Sequence, residues 1–451
     1  MTGPLNTDVA IVGAGLAGLA AARRLRAGGQ SVVVLEARDR VGGRTFDRTL
    51  EDGTVVEVGG QWVGPQQLRV NKLIAELGLE THPTFNEGEH LLDLHGRRTR
   101  YRGSNPPLSK LGLLDLAQSA TRFERMMKRV PLEVPWAADG AEAWDRQTFS
   151  TWIHRNTKTA SARFFWDVYA EGVLAAEPQD FSLLHALFYA HSAGGLNVLM
   201  GVRNGAQQDR IVGGSWQISQ RMADDVRDAI LTNCPVRRIE QRGRTVTVVS
   251  DGAEVDARHV IVAVPPALAS RISYAPALPA LRDQLTQKLP AGSVIKCNVA
   301  YEEAFWRADG MSGQAAGDHP PIKFTYDNSP PSGTPGVLVC FLEGREARRY
   351  GTLTPDERKR AVVAALTQYF GSRAAKPVEF IEQDWTAEEW TRGCYGAHFG
   401  PGVWTQFGAA LRVPFGHIHW AGTETATVWN GYMDGAISSG ERAAAEVLDQ
   451  V

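Results

Sequence analysis

The sequence predicts an α/β protein in which a Rossmann-like, dinucleotide-binding βαβ unit is joined to an interleaved α+β domain. Three observations carry this expectation. A glycine-rich turn sits between two β-branched runs at the start of the chain. A block of helical periodicity runs from about residue 108 to 200. A strand-then-helix pattern returns at the end. At 451 residues the chain is also too long for one simple core.

Residues 8–13, DVAIVG, read as a buried strand, a short β-branched run closed by glycine. Gly13-x-Gly15-x-x-Gly18 then opens a helix, and the strand SVVVLE ends at Glu36. Gly13 allows the tight turn. Gly15 lets main chain approach a pyrophosphate, and Gly18 lets helix and strand pack closely. The helix N-terminus faces the phosphates, with Ala14 inside the turn. Glu36 is positioned to accept from ribose hydroxyls, and an acid there argues against a 2′-phosphate. Ala37 and Arg38 follow, and RDRVGGRT then brings Arg40, Gly42, Gly43 and Arg44 just beyond the second strand. The Arg44 guanidinium is a planar fork suited to a pyrophosphate.

Past residue 80 or so the pattern changes. HLLDL and RRTRYRG read as strands. LSKLGLLDLAQSATRFERMMKRV and SARFFWDVYAEGV place apolar residues at three- and four-residue steps. VRRIEQ, TVTVVS and HVIVAVPP are strands again, as are residues 292–301 and 336–344. A helix covers about 354–370. The Pro/Gly-rich stretches at 316–321 and 329–336 read as surface loops. The simplest arrangement is a discontinuous dinucleotide domain, residues 1–80, 212–290 and 391–451. A second domain, residues 81–211 and 291–390, then interrupts it twice.

A formal net charge of −2 gives no reason to expect a nucleic acid or an anionic membrane surface as partner. Four cysteines without a Cys-x-x-Cys pair form neither a disulfide scaffold nor a zinc site, and they fit a reduced cytoplasm. The start lacks a basic leader, and no apolar run approaches the ~18 residues of a membrane span. His417 and His419 share a strand face, but no third ligand stands at a suitable spacing, so no metal is expected.

The C-terminal segment HWAGTETATVWNGYMDGAISSGERAA is the most specific. A strand ends at Gly422, Thr423, Glu424 and Thr425 form a polar turn, and a helix begins near Met433. Its N-terminus offers N–H groups to an anionic oxygen. With RDRVGGRT, VVEVGGQWVGP, GSVIKC, EAFW, GCY, GTETAT and GYMDGA in order along nearly the whole chain, the sequence resembles the flavin-containing amine oxidases, and the monoamine oxidases among them.

The resemblance implies the flavin amine oxidase fold, FAD as cofactor, and oxidation of a primary amine to an imine with reduction of O2 to H2O2. It implies that Gly60, Gln61 and Trp62 lie along the flavin, that Val236 contacts FAD through its backbone, and that Trp385 packs on the ring. Cys394, directly before Tyr395, takes the place of a cysteine bonded to the flavin; the alternative for the residue alone is a small buried hydrophobe. Tyr395 and Tyr432 would form an aromatic cage. Lys296 would reach flavin N5 through water. Period two puts it on a face with Val294 and Asn298, where a lysine is costly unless paired or useful.

Leu174, Met200, Gln207 and Phe324 would line the substrate cavity, uncharged or apolar residues that disfavour a diamine. Glu171 or Glu177 could still supply a carboxylate for a polyamine such as putrescine, and a cyclic secondary amine of hydroxynicotine type is a further alternative. Arg203 and Arg392 keep an amino-acid oxidase open, and a flavoprotein kept for scaffolding is the non-enzymatic alternative. The expected partners are a small amine and O2, with a homodimer as the assembly.

Overall fold

The computed structural model describes residues 4–103 and 106–450. Near-continuous β-branched runs suit a parallel sheet covered on both faces. Ile230–Leu231, Val32–Leu35, Leu5–Val12 and Glu254–Val262 lie side by side in that order, all parallel. The Glu254–Val262 strand then forks. Its second half pairs in parallel with Ile418–Trp420, and its first half antiparallel with Thr245–Ser250. That branch continues antiparallel to Val236–Arg242, which in turn pairs in parallel with Ser273–Ala275. Three distant stretches of chain thus build one sheet of eight strands.

Helix Leu16–Ala27 and the terminal helix Met433–Leu448 lie together over this sheet, sharing a core with Ile11 and Ile261. Gly440 permits the close approach: a Cβ there would stand 2.0 Å from the Ala17 carbonyl oxygen.

A second sheet of seven strands runs Glu379–Asp384, Val294–Tyr301, Gly336–Glu343, Phe324–Asp327, Met311–Gly317, Glu89–Leu94, Arg97–Tyr101. Helix Pro355–Phe370, opened by a Thr354/Glu357 capping box, packs on the face that carries Ile295, Cys297 and Val299. The alternate face carries Lys296, opposite Phe341 on one neighbouring strand and Gln383 on the other. The Val294–Tyr301 strand is buried along its whole length.

A helical block, Lys110–Met127, Phe149–Asn156, Ala160–Leu174 and Leu183–Ser192, has a core of its own. Each helix starts at a Ser or Thr whose hydroxyl accepts a first-turn N–H: Ser109, Thr148, Thr159 and Ser182. Phe123, Phe149, Trp152 and Trp166 fill the centre, with Phe149 and Trp166 edge to face at 5.5 Å.

One expectation changes. The stretches at 316–321 and 329–336 are not plain surface loops. Gly317 ends a strand, and both stretches are strand connections at opposite ends of Phe324–Asp327, with Pro321, Ser329, Gly333 and Pro335 buried and Pro320, Pro331, Ser332 and Thr334 exposed. Among the described residues no helix is long and apolar enough to cross a membrane.

Candidate active site

A cavity of about 800 Å³ is lined by both sheets and by the helical block. One end is made of main chain. Gly13 has φ +99°, a conformation that favours glycine, and nothing stands within 4 Å of a Cβ placed at Gly15. Gly18 serves packing instead: its Cβ would meet the Gly13 carbonyl oxygen at 1.9 Å. Helix Leu16–Ala27 begins at Gly15 without a side-chain cap, so its first N–H groups are open to an anion.

Glu36 is buried, and its carboxylate accepts from the amides of Ala14 (2.7 Å) and Arg38 (2.9 Å). Ala14 therefore acts through its N–H, holding Glu36 against the turn, and does not itself line the cavity. Ala37, Arg38, Gly43, Gly60, Gln61, Trp62 and Val236 line it, and the Arg38 guanidinium is held by Glu388.

The second uncapped helix, Met433–Leu448, brings Tyr432 and Met433 to the wall beside Gly422 and Thr423. Arg44 also lines the cavity, but its fork is not free for a pyrophosphate. Its guanidinium donates to Glu424 Oε1 (2.6 Å) and to the Tyr395 carbonyl (2.8 Å). Glu424 is 1% exposed in its side chain and is this ion pair's buried partner, not a wall residue. A buried carboxylate needs a cation, and Arg44 is the one in reach.

The other end is made of side chains. Tyr395, Tyr432, Cys394 and Lys296 face one space. The Tyr395 hydroxyl donates to Glu343 Oε1 at 2.7 Å. Burial pushes the Glu343 carboxyl well above the usual carboxylate range. Tyr432 leans on Trp429 at 5.0 Å and 75° and on Tyr189 at 6.1 Å. Burial pushes the Cys394 thiol up to about 12, and the Cys394–Tyr395 peptide is cis.

Lys296 Nζ donates to the Gly59 carbonyl at 2.9 Å and to Gln61 Oε1, between the Trp62 and Phe341 rings, each 5.7 Å away. Burial lowers its pKa to about 7, Glu57 and Asp47 opposing that and Arg210 adding to it.

Met200, Gln207 and Phe324 line the cavity as expected from the sequence, Gln207 fixed by its amide donating to the Leu199 carbonyl at 3.0 Å. Leu174 does not. The helix ends there, Ala175 turns left-handed at φ 50°, and Leu174 faces the helical core, leaving Gly172 and Val173 on the wall. Trp385 is also behind the wall. It is 2% exposed, with its indole N–H donating to the Val58 carbonyl at 2.7 Å, and Trp390 lines the cavity instead.

Glu171 is tied to Lys323, and Glu177 to Arg348 at 2.5 Å, so neither offers a carboxylate to the cavity. Arg203 is paired with Glu87 and Arg392 donates to the Glu389 carbonyl; neither lines the wall.

Sequence reading missed Tyr169, Tyr189, Tyr326, Trp390 and Glu124, all wall residues, and Glu343 behind Tyr395. Glu124 and Tyr169 had a readable signal: Glu124 falls at helical spacing from Leu113, Leu116, Ala117 and Ala120, and Tyr169 from Phe165, Trp166, Gly172 and Val173, all sharing that wall.

The sequence model of the flavin containing amine oxidoreductases matches residues 16–448. A Mycobacterium tuberculosis protein named flavin-containing monoamine oxidase AofH is 42% identical over 444 residues, 98% of this chain and 97% of that one. The flavin-containing amine oxidase B of Sus scrofa is 39% identical over 447 residues, 98% of this chain and 86% of its own. Among solved structures, a putrescine oxidase with putrescine bound superposes with a TM-score of 0.96 at 39% identity, covering 99% of this chain and 100% of that one. Cyclohexylamine oxidase from Brevibacterium oxydans IH-35A gives 0.94 at 36% identity, over 98% and 99% of the two chains.

FAD is the cofactor this family carries, and the residues here fit it: open space over Gly15, two uncapped helix starts, and an aromatic chamber beyond them. Motif order, sheet topology and cavity therefore agree along nearly the full length, and the chain belongs to the flavin-containing amine oxidoreductase family.

Proposed function

We propose that the chain is a cytoplasmic monoamine oxidase that takes unbranched arylalkyl or alkyl primary amines and returns electrons to O2. The observation that carries this reading is the shared chamber of Tyr395, Tyr432 and Lys296, with Phe324, Tyr326 and Tyr169 beyond. FAD, when bound, supplies the hydride acceptor and passes the electron pair on to O2.

The protein's part is placement. Tyr395 and Tyr432 present ring faces that guide a neutral amine and exclude water. Glu343 fixes the Tyr395 ring through its hydroxyl. Lys296 holds or yields a proton at the O2 side, and Cys394 would be the residue that tethers the flavin covalently. A redesign of cofactor binding in the similar putrescine oxidase included an alanine-to-cysteine change, which supports looking for such a bond. In this reading the eight-stranded sheet and its segments, residues 1–80, 212–290 and 391–451, form the FAD-binding domain. Residues 81–211 and 291–390 form the substrate domain.

A peroxide assay across a panel of amines tests the substrate class. Phenylethylamine- and tyramine-like amines should exceed putrescine and spermidine in kcat/KM, since an apolar wall gains about 25 cal/mol per Å2 of ligand buried. A second ammonium without a partner costs several kcal/mol.

One observation favours the polyamine alternative: Glu124 lines the cavity and has no side-chain hydrogen bond or ion pair among the described residues. If putrescine is the better substrate, Glu124→Gln should raise its KM while leaving that of phenylethylamine in place. Preference for putrescine with no effect of Glu124→Gln would refute both halves of this reading.

A further inference from the structure

Lys296 stands at the head of a buried chain of side-chain amides that the chemistry above does not use. Gln61 Nε2 donates to Asn328 Oδ1 at 2.8 Å. Asn328 Nδ2 donates to Asn298 Oδ1 at 2.8 Å. Asn298 Nδ2 donates to the main-chain carbonyl of Glu57 at 3.1 Å. Gln61, Asn298 and Asn328 are each at most 2% exposed.

The far end decides the direction of the whole chain. A carbonyl oxygen can only accept, so Asn298 must turn its NH2 toward Glu57 and its oxygen toward Asn328. Asn328 must then turn its own oxygen toward Gln61, which leaves the Gln61 oxygen facing Lys296. Reversing any one amide sets oxygen against oxygen or NH2 against NH2 in a dry interior. Arg210 clamps the anchor. It pairs with Glu57 Oε2 at 2.7 Å and donates to the main-chain carbonyls of Asn328 (2.8 Å) and Ser329 (3.0 Å).

We propose that Gln61, Asn328 and Asn298 are positioning residues whose fixed polarity decides what Lys296 presents to the cavity. Beyond its bond to Cε, Nζ has three tetrahedral positions, and two are engaged, one by the Gly59 carbonyl and one by the Gln61 oxygen. As an ammonium, Lys296 keeps an N–H for the cavity. As a neutral amine it has given both N–H groups to protein acceptors and presents its lone pair. The chain thus makes the lysine a two-state group, donor or acceptor, with neutral dipoles and not an adjacent carboxylate as its partner.

The charged and titratable groups around it are Glu57, Asp47, Arg210 and Cys394, with Glu343, its carboxyl raised by burial, further along the same sheet face. Its in-sheet neighbours, Phe341 and Gln383, are uncharged. The lowered value near 7 agrees with this setting.

This inference rests on the O2-side role proposed for Lys296, and its test is built to separate the two. Holoenzyme carrying 13C-labelled lysine is titrated by NMR, with Lys296→Met assigning the signal. Reoxidation by O2 is followed in parallel by stopped flow. In Gln61→Glu a carboxylate replaces the amide oxygen, and the Lys296 midpoint should rise by about one pH unit or more, a tenfold change in proton affinity. In Asn328→Leu the Gln61 amide loses the partner that orients it, and the midpoint should fall by about half a unit or more. Asn298→Ala removes the next link and should act in the same direction if Asn328→Leu does not fold.

Folded, flavin-loaded link variants whose Lys296 midpoint stays at the wild-type value overturn the chain's role, whatever their activity. Lys296→Met reoxidising at the wild-type rate overturns the O2-side reading alone, since the midpoint shifts still judge the chain.

Discussion

At the nucleotide end of the cavity the groups on offer are main-chain amides: the Gly13–Gly18 turn and two helix starts, with Glu36 bracing the turn through two N–H groups. At the amine end they are side chains carried by separate elements of the chain, such as Lys296, Tyr395 and Tyr432. The first kind of site depends on the absence of side chains and on local backbone shape. The second depends on burial, which shifts Lys296 down and Glu343 up. Damage at the first end should therefore abolish binding, whereas damage at the second should alter rates and pH profiles.

The largest effect is expected at Gly18. A Cβ there would lie 1.9 Å from the Gly13 carbonyl oxygen, a main-chain atom with no flexible side chain to give way. Gly18→Val should leave little or no flavin per chain, read from the flavin-to-protein absorbance ratio of the purified protein. A yellow variant with normal flavin content would break the comparison at once.

Lys296→Met should come next, and it should act on rate only. Amine reduction should survive while reoxidation by O2 slows about 100-fold, within the usual range for a positioned proton-carrying group. The pH dependence follows in sign. Lys296 is protonated below about 7 and neutral above it, so assistance by the ammonium should fade as pH rises through neutrality. Stopped-flow reoxidation of the wild type should fall across that window, and the methionine variant should be flat. A sloped profile in Lys296→Met would move the titration to another group, with Asp47, raised by burial to about 7, the first to examine.

The smallest effect on turnover is expected at Cys394. Acid precipitation of the wild type should carry the flavin down with the protein, and Cys394→Ala should release it to the supernatant. Turnover should change by less than about tenfold, because a tether adds retention and not transition-state contacts. Wild-type flavin going wholly to the supernatant would leave Cys394 as a packing residue, in keeping with a buried thiol pushed up to about 12.

Local order carried far in this chain. The βαβ turn, the helical periodicity over Lys110–Met127 and Ala160–Leu174, and the start of the last helix at Met433 were legible, because glycine geometry and periodicity are properties of a few neighbouring residues. Gly13, Gly15, Gly18 and Glu36 could be given separate reasons before any coordinates, and the packing reason for Gly18 is seen directly.

What only the tertiary structure decided lies wherever two distant segments meet. Arg44 has the reach to grip a phosphate, yet Glu424, 380 residues further on, engages its fork. Leu174 and Trp385 sit in the expected stretches, but a left-handed turn at Ala175 and the Val58 carbonyl aim them away from the cavity. Glu171 and Glu177 carry the right charge and are neutralised by Lys323 and Arg348. The direction of the Gln61–Asn328–Asn298 chain hangs on one main-chain oxygen of Glu57. Sequence by itself determined which residues could do chemistry and which backbone they ride on. Pairing of buried charges and amides is a long-range competition for partners, and only the folded chain settles who wins it.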